Sequence, residues 1–184
     1  HERVWGRPLS NEELASILRN WTVGEIGTIS ASVGILLHYL AEHFDVQKQL
    51  RAQSNLLPRA IEEILRIFGP LVSNRRITTC PVEIGGRKIA AGERITLMWI
   101  SANRDERVFE DPELFRLDRD YSKNLLWGAG IHVCPGAPLA KLEMQVFMEE
   151  LLSHTRDITI IPQKLPTLAA YPASGFATLP LQIQ

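Results

Sequence analysis

A charge-free apolar run from Ile26 to Ala41 sets the strongest limit on the fold of this chain. The run is shorter than the roughly 20 apolar residues that a membrane-spanning helix needs, and it includes several small and polar residues. Its apolar side chains, together with Trp21 and Val23, cover most of the circumference of a helix from about Asn20 to Phe44. A helix that is apolar on nearly every side lies in a protein interior, so the run predicts a buried helix of a water-soluble protein.

The composition is that of an ordinary globular protein without a strong charge. Hydrophobic residues make up 45% and charged residues 22% of the 184 residues, and the net charge is −1. This charge gives no indication of nucleic-acid binding, and no membrane association is evident. The two cysteines, Cys80 and Cys134, cannot form a disulfide framework, so we expect a reducing compartment, the cytoplasm. The chain begins at His1 without a signal-like segment, and we expect it to be part of a larger protein.

Three further segments carry helix signals. Ser10 is followed three residues later by Glu13, which matches a capping box and predicts a helix beginning near Asn11. A helix from Leu56 to Phe68 is predicted to end at the Gly-Pro pair that follows it. Apolar residues recur on one face of the segment from Pro138 to His154, which predicts another helix.

Short β-prone pieces make up the rest of the regular structure. Between Arg76 and Leu97 they alternate with Gly-Gly and Ala-Gly turns, which predicts small hairpins. Near the end of the chain, short strands are predicted around Ile158–Ile161 and Ala177–Ile183. The predicted fold class is therefore mainly α with a minor β part.

The stretch "WGAGIHVCPGAPLA", Trp127 to Ala140, gives Cys134 an unusual backbone setting. Its glycines allow positive φ angles and let the backbone approach a bulky partner closely. Pro138, at the start of a helix, leaves N–H groups free to point at the sulfur, and together with the positive helix end they favour a thiolate. Such a thiolate suits nucleophilic chemistry, with His132 as a possible partner, or binding of a soft metal. An inert buried thiol is the alternative, and zinc would need more ligands than this chain clusters.

The same stretch resembles the haem-binding signature of the cytochrome P450 family. In that signature an aromatic residue, a glycine, a basic residue, the ligand cysteine and a glycine recur at this spacing. The resemblance implies that Cys134 is the axial thiolate ligand of the iron of haem b, and that His132 hydrogen-bonds a haem propionate. Trp127 stands where the family usually has phenylalanine and keeps an aromatic plane near the sulfur. The other residues implied to lie against the haem here are Gly128 and Gly136.

Other segments resemble the family in the same order along the chain. Glu63 and Arg66 match its Glu-x-x-Arg helix, and Arg119 in "FRLDR" matches the third member of a structural network. Without the resemblance, Glu63 and Arg66 would be an ordinary exposed helix pair. Arg76 matches the arginine that pairs with the second propionate. The residues implied to face the substrate are Leu71, Val72, Ser73 and Phe176.

The segment "VGEIGTIS" resembles the oxygen-activation segment of the family, with one departure. The resemblance implies that the Thr28 hydroxyl relays protons and that Gly24 permits close approach to the haem. Gly27 stands where the family usually has an acid. Glu25 lies one turn before Thr28 on the same side of the helix, so we hypothesise that Glu25 supplies the protons instead. The alternatives are that Glu25 caps a distorted turn or pairs with a nearby arginine.

The resemblance covers the whole chain but only the C-terminal half of the family fold. It implies that residues 1–184 are the haem-binding C-terminal part of a single larger domain, without the early helices and the substrate lid. The implied activity is insertion of oxygen from O₂ into a small lipophilic substrate, with electrons from NAD(P)H through a ferredoxin or a flavoprotein reductase. The alternatives are a haem-binding fragment without catalytic competence, a haem sensor that uses Cys134 and Pro135, and a peroxide-driven or decarboxylating relative.

Overall fold

A continuous helical rod runs along one side of the molecule. The structure is a computed structural model that describes residues 3–184, so the predicted start at His1 lies outside the described residues. We predicted two helices here, one beginning near Asn11 and one from about Asn20 to Phe44, but the backbone stays helical through Asn20 and the two form one rod. The rod consists of α1 (Asn11–Val23), a π-helical segment (Gly24–Ile29) and α2 (Ser30–Glu42).

The predicted capping box fixes the first turn of α1. The Ser10 hydroxyl accepts a hydrogen bond from the Glu13 N–H at 3.2 Å, and the Glu13 carboxylate accepts one from the Ser10 N–H at 2.8 Å. The Arg7 guanidinium donates to both oxygens of the same carboxylate and is the main reason that the pKa of Glu13 is lowered to about 2. These contacts satisfy N–H groups at the helix start, so α1 begins at Asn11 as predicted.

The two halves of the rod differ in burial, which corrects part of the sequence prediction. Its buried residues all lie in α2, and Leu36 and Leu40 are each 1% exposed. Within residues 3–184, α1 and the π-helical segment have no buried residue, and Val23 and Ile26 are 62% and 71% exposed. By length and composition the rod could also cross a membrane, a test that the core helix of a soluble protein passes equally. An interior position is therefore confirmed for α2 only.

Helices α3 (Phe44–Ala52), α4 (Leu57–Phe68) and α6 (Ala137–His154) pack with α2 around the core. The sequence predicted a helix that ends at Phe44, and it did not predict α3. In the structure α2 already ends at Glu42, because His43 leaves the helical conformation (φ −123°, ψ 78°), and α3 begins at the next residue. The predicted α4 and α6 are confirmed and differ from the observed helices by one residue at the start. The most deeply buried side chains of the core include Leu36, Leu40, Leu50, Leu57, Ile64, Leu65, Met144, Met148 and Ile158.

Five small antiparallel sheets, each of two strands, complete the described fold and confirm the minor β part. The predicted hairpin over Gly85 and Gly86 forms, and both glycines have the positive φ angles (56° and 78°) that the turn requires. The short helix α5 (Trp99–Ala102) directly follows one of these strands. The paired strands are β1 (Arg3–Val4) with β2 (Arg7–Pro8), β3 (Ser73–Ile77) with β6 (Arg94–Met98), β4 (Val82–Ile84) with β5 (Arg87–Ile89), β7 (Ile158–Ile160) with β10 (Leu181–Ile183), and β8 (Thr167–Leu168) with β9 (Phe176–Thr178).

A buried ion network fastens α4 to the irregular segment that follows α5. Glu63 and Arg66 are fully buried, and Arg119 is 8% exposed. The Glu63 carboxylate accepts hydrogen bonds from Arg66 Nε at 2.8 Å and from Arg119 Nε at 2.9 Å. The remaining guanidinium N–H groups donate to backbone carbonyls of Asn103, Glu110, Asp111, Pro112 and Leu114. Because each charge has an opposite charge and further hydrogen bonds, the network offsets the cost of burial.

Candidate functional site

A cavity of about 740 Å³ lies between the rod, the β3–β6 sheet and the loop that carries Cys134. Its walls are mostly apolar, and polar side chains from several elements also line it. Concave, largely apolar cavities of this size are typical of sites for small molecules and cofactors. Of the residues singled out by the sequence, those that line it are Gly24, Glu25, Thr28, Leu71, Arg76, Trp127, Gly128, His132, Cys134 and Gly136.

Glycines set the conformation of the loop before Cys134. Gly128 has φ +78°, and a Cβ atom there would lie 3.0 Å from the backbone oxygen of His132, so a larger residue would displace the loop. Gly130 also has a positive φ, +62°. The turn is closed by the Cys134 N–H, which donates to the Trp127 carbonyl at 2.8 Å. Trp127 and Cys134 are thereby held at the two ends of a tight loop, beside one another in the cavity wall.

The sulfur of Cys134 is a free, half-buried thiol at the start of α6. Cys80, the other cysteine, is exposed and also free, so neither is engaged in a disulfide. α6 begins at Ala137, and Pro138 occupies its first turn as predicted. A Cβ at Gly136 would lie 3.8 Å from the sulfur, which is ordinary van der Waals contact. Gly136 therefore borders the thiol, although its lack of a side chain is not sterically required there.

The donor set of the cavity fits a metal carried in a macrocycle better than a bare ion. Within residues 3–184 no group of three or more His, Cys, Asp or Glu side chains could hold a metal ion. A single soft thiol, Cys134, faces a large apolar space whose wall also carries Arg76 and His132. One sulfur ligand, apolar walls and two basic side chains match the needs of haem, which brings four of its own ligands and two carboxylates.

The π-helical segment brings Gly24, Glu25 and Thr28 to the cavity together. Among the residues that the structure describes, Glu25 forms no ion pair, and the π-helical segment has no side-chain cap hydrogen bond. The Thr28 carbonyl accepts a hydrogen bond from the Ser32 hydroxyl at 2.8 Å, while the Thr28 hydroxyl makes no hydrogen bond within residues 3–184. At Gly27, a Cβ would meet nothing within 4 Å.

The residues implied to face the substrate do not all reach the cavity. Leu71 lines it, whereas Val72, Ser73 and Phe176 are not part of the described lining. The Ser73 hydroxyl is buried and hydrogen-bonded to the Tyr171 hydroxyl at 2.5 Å. The Val72 N–H donates to the Pro172 carbonyl, and Phe176 packs on His38 with ring centroids 4.5 Å apart. These three residues hold the last part of the chain against β3 and α2.

Asn103 joins the buried ion network to the loop that precedes α6 and carries Cys134, residues 125–136, called the cysteine loop below. The sequence pattern does not reveal this role. Asn103 is 2% exposed, and its carbonyl accepts a hydrogen bond from Arg66 Nη1 at 2.6 Å. Its side-chain oxygen accepts a second one from the Leu125 N–H at 2.8 Å. The only signal in the sequence is a single asparagine in the segment just after α5.

Comparisons with known proteins point to one family. A family model described as Cytochrome P450 matches residues 2–183. A cyclomarin C epoxidase of Salinispora arenicola (strain CNS-205) is 36% identical over 85% of this chain and 40% of that protein. A nocardicin C N-oxygenase of Nocardia uniformis subsp. tsuyamanensis is 36% identical over 86% of this chain and 41% of that protein.

The fold also matches that of solved structures. The crystal structure of CYP109E1 from Bacillus megaterium in complex with corticosterone superimposes with a TM-score of 0.90 and 29% identity, and the match covers 98% of this chain and 49% of that chain. The chain spans about 40% of the two curated relatives and about half of this solved chain.

Proposed function

Because the chain belongs to the cytochrome P450 family, we propose that it forms the haem-binding part of a monooxygenase in which Cys134 is the thiolate ligand. The observation that carries this proposal is the position of the Cys134 thiol, free and half-buried in the wall of a large apolar cavity. When bound, haem b would supply a thiolate-ligated iron at which dioxygen is reduced.

The residues around the cavity have separate roles in holding the haem. Arg76 and His132 bind its two propionates, and this is supported by their positions on the cavity wall. Trp127, Gly128 and Gly136 lie against the macrocycle, which a wall rich in glycine and aromatic surface suits. These residues would orient the cofactor and exclude water from it.

Proton supply falls to the π-helical segment. The Thr28 hydroxyl passes a proton into the cavity, and Gly24 leaves room beside the haem. The Glu25 carboxyl group provides that proton, directly or through water, in place of the acid missing at Gly27. The support is that Glu25 and Thr28 lie one turn apart and both line the cavity. Within residues 3–184, neither of the two side chains makes a hydrogen bond or an ion pair.

The buried ion network is proposed to act as scaffold. Glu63, Arg66 and Arg119 are buried, and none of them is among the lining residues of the cavity. Their support for the site is indirect and runs through Asn103 to the loop that begins at Leu125. These residues therefore position the site and do not take part in the chemistry.

The whole protein is proposed to insert one oxygen atom of O₂ into a small lipophilic substrate. The relatives named above are an epoxidase and an N-oxygenase, and a related fold was solved with corticosterone. The apolar walls, which include Leu71, favour a lipophilic molecule. Electrons are proposed to come from NAD(P)H through a ferredoxin or a flavoprotein reductase. The proposed compartment is the cytoplasm, and residues 1–184 are proposed to be the C-terminal part of one larger domain.

One observation favours a second candidate. Gly27 has no side chain and open space around it, so the acid–alcohol pair that the family usually has is broken. A peroxide-driven relative needs no relay of protons for reductive activation of O₂. The retained Thr28 hydroxyl on the cavity wall supports the monooxygenase instead. Product formation with peroxide alone, compared with product formation with O₂ and a reductase, distinguishes the two.

The test of the proposed function is the spectrum of the reduced protein under carbon monoxide. The protein is produced with a haem precursor, and thiolate ligation is expected to give a strongly red-shifted Soret band. Cys134→Ser is expected to abolish that band, whereas Cys80→Ser, the matched control at the other free cysteine, is expected to leave it unchanged. A wild-type spectrum typical of a neutral or nitrogen ligand, or an absence of haem, contradicts the proposal.

A further inference from the structure

We propose that Glu62 and Lys141 form a charged clamp on Trp127, and that this clamp positions the ring beside the cysteine loop and sets the electrostatic environment of the haem site. The inference rests on the proposed function for its second part only. Glu62 is on α4, Lys141 is on α6, and Trp127 is in the loop that precedes α6. A family phenylalanine at this position could not make the contact, because it has no N–H group.

The clamp holds the indole ring at its edge and at its face. Trp127 Nε1 donates to Glu62 Oε2 at 3.2 Å. Lys141 Nζ lies 3.2 Å from the same oxygen and 5.3 Å from the centroid of the Trp127 ring. The second carboxylate oxygen accepts from Asn124 Nδ2 at 2.9 Å. Both oxygens of Glu62 are therefore occupied by groups that belong to, or face, the cysteine loop.

The burial of Glu62 makes its charge effective. The Glu62 side chain is 13% exposed, whereas the Lys141 side chain is 51% exposed. A carboxylate with little contact with water is screened less than a surface charge, so its field reaches the neighbouring cavity. Lys141 compensates that charge. The pair as a whole is neutral, and removal of either partner leaves one uncompensated charge of known sign next to Trp127.

The clamp also connects to the sulfur through the backbone. The Trp127 carbonyl accepts the hydrogen bond from the Cys134 N–H at 2.8 Å, so a shift of Trp127 is transmitted to the residue that carries the thiol. Glu62 is next to Glu63 of the buried ion network, which fixes this turn of α4. The clamp therefore ties the loop to a part of α4 that cannot move independently.

The hydrogen bond of the clamp is tested by NMR of the indole N–H groups in the diamagnetic, reduced and carbon monoxide-bound protein. The four tryptophans give four indole signals, and Trp127→Phe identifies the one from Trp127. In Glu62→Ala this N–H is expected to exchange with solvent at least tenfold faster, while the other three signals stay unchanged and report an intact fold. Unchanged exchange of the Trp127 N–H in Glu62→Ala overturns the clamp.

The electrostatic part is tested by the reduction equilibrium of the haem against a reference dye. Reduction adds negative charge, so Glu62→Gln, which leaves Lys141 unpaired, is expected to favour the reduced form about two- to threefold. Lys141→Gln is expected to disfavour it by a similar factor, and the double variant is expected to return close to wild type. If both single variants shift the reduction equilibrium in the same direction, the substitutions have only loosened the packing around Trp127. That result overturns the electrostatic part of the proposal.

Failure of the proposed function can be told apart from failure of the clamp. If the wild-type protein lacks the thiolate-type spectrum, the proposed function fails, and the indole exchange measured in the haem-free protein decides the clamp by the same criterion. If that spectrum is present in the wild type and in both single variants but the reduction equilibrium does not move, the proposed function stands and the electrostatic role of Glu62 and Lys141 is wrong.

Discussion

The buried ion network and the π-helical segment are two polar regions of one molecule, and they are built in opposite ways. In the network, the Glu63 carboxylate and the guanidinium groups of Arg66 and Arg119 are all matched by charges or carbonyls. In the π-helical segment, Glu25 and Thr28 face the cavity without a side-chain partner among residues 3–184. Matched polar groups stabilise the scaffold, whereas unmatched groups are free to act on a bound molecule.

The largest effect is expected when the matched region is broken. Glu63→Ala leaves the charges of Arg66 and Arg119 buried without a partner, which costs about 3–5 kcal/mol of the free energy of unfolding. The matched control is Glu110→Ala, whose 80% exposed side chain pairs with Arg116 at the surface and should cost less than about 1 kcal/mol. Denaturant unfolding measures both. Equal losses would mean that the network is not the scaffold proposed here.

A change in the unmatched region should affect activity and leave stability nearly unchanged. Glu25→Gln is expected to reduce product formation about 100-fold and to divert electrons to peroxide, because a general acid is lost. Glu12→Gln, on the exposed part of the same rod, is the control and should have no effect. Product yield per NAD(P)H consumed is the measurement. Unchanged yield in Glu25→Gln would remove Glu25 from the proton path.

Asn103→Ala tests the connection between the buried ion network and the cysteine loop. It removes the acceptor of the Leu125 N–H and leaves a part-buried donor unsatisfied, which costs about 1–3 kcal/mol. Since Leu125 begins the cysteine loop, haem should also dissociate faster. Asn55→Ala, at an exposed asparagine before α4, is the control. If Asn103→Ala lowers the stability but haem dissociates no faster, the buried ion network does not support the haem site through Asn103.

The smallest effect concerns pH. Burial, with smaller contributions from Asp45 and Glu63, raises the pKa of Tyr39 to about 12, compared with 10.0 for an unperturbed tyrosine. The unfolded chain then loses this proton first as the pH rises, so the contribution of Tyr39 to stability is fully present below pH 10 and is lost between pH 10 and 12. Tyr39→Phe should flatten this part of the stability profile, measured by unfolding at several pH values.

Tyr121→Phe provides the comparison for that profile. Burial likewise raises the pKa of Tyr121 to about 12. If the pH dependence comes from these hydroxyl groups, each single substitution removes a part of it and the double substitution removes both. If the stability of the double variant still falls as steeply between pH 10 and 12, groups other than these two tyrosines cause the loss.

Local signals in the sequence predicted the helices with clear ends. The Ser10–Glu13 box marked the start of α1, and the Gly-Pro pair after Phe68 marked the end of α4. The predicted division of the rod near Asn20 was wrong, since Asn20 lies inside α1 and the backbone stays helical there. The exposure of α1 was missed because apolar periodicity reports which residues avoid water, but not what covers them.

Positions in the candidate site were predictable where a motif fixed several residues at once. The stretch around Cys134, and the pair Glu25 and Thr28, reach the cavity together. Val72 and Ser73 follow Leu71 directly, yet neither is part of the described lining of the cavity. Alternation of side chains along an extended backbone accounts for Val72, and the Ser73 hydroxyl is bonded to Tyr171 instead. Asn103 was not predictable, since its partners come from distant segments and leave no spacing in the sequence.

The fully matched Glu63 carboxylate also constrains the order in which the protein can assemble. Its partner Arg119 is 56 residues away in the chain, so closing that loop costs entropy before the contact forms. Before Arg119 is in place, packing α4 against its neighbours would remove the ionised groups of Glu63 and Arg66 from water without all of their partners. Desolvation of α4 and docking of the distant segment must therefore coincide, and a half-assembled intermediate with only one of them in place is disfavoured.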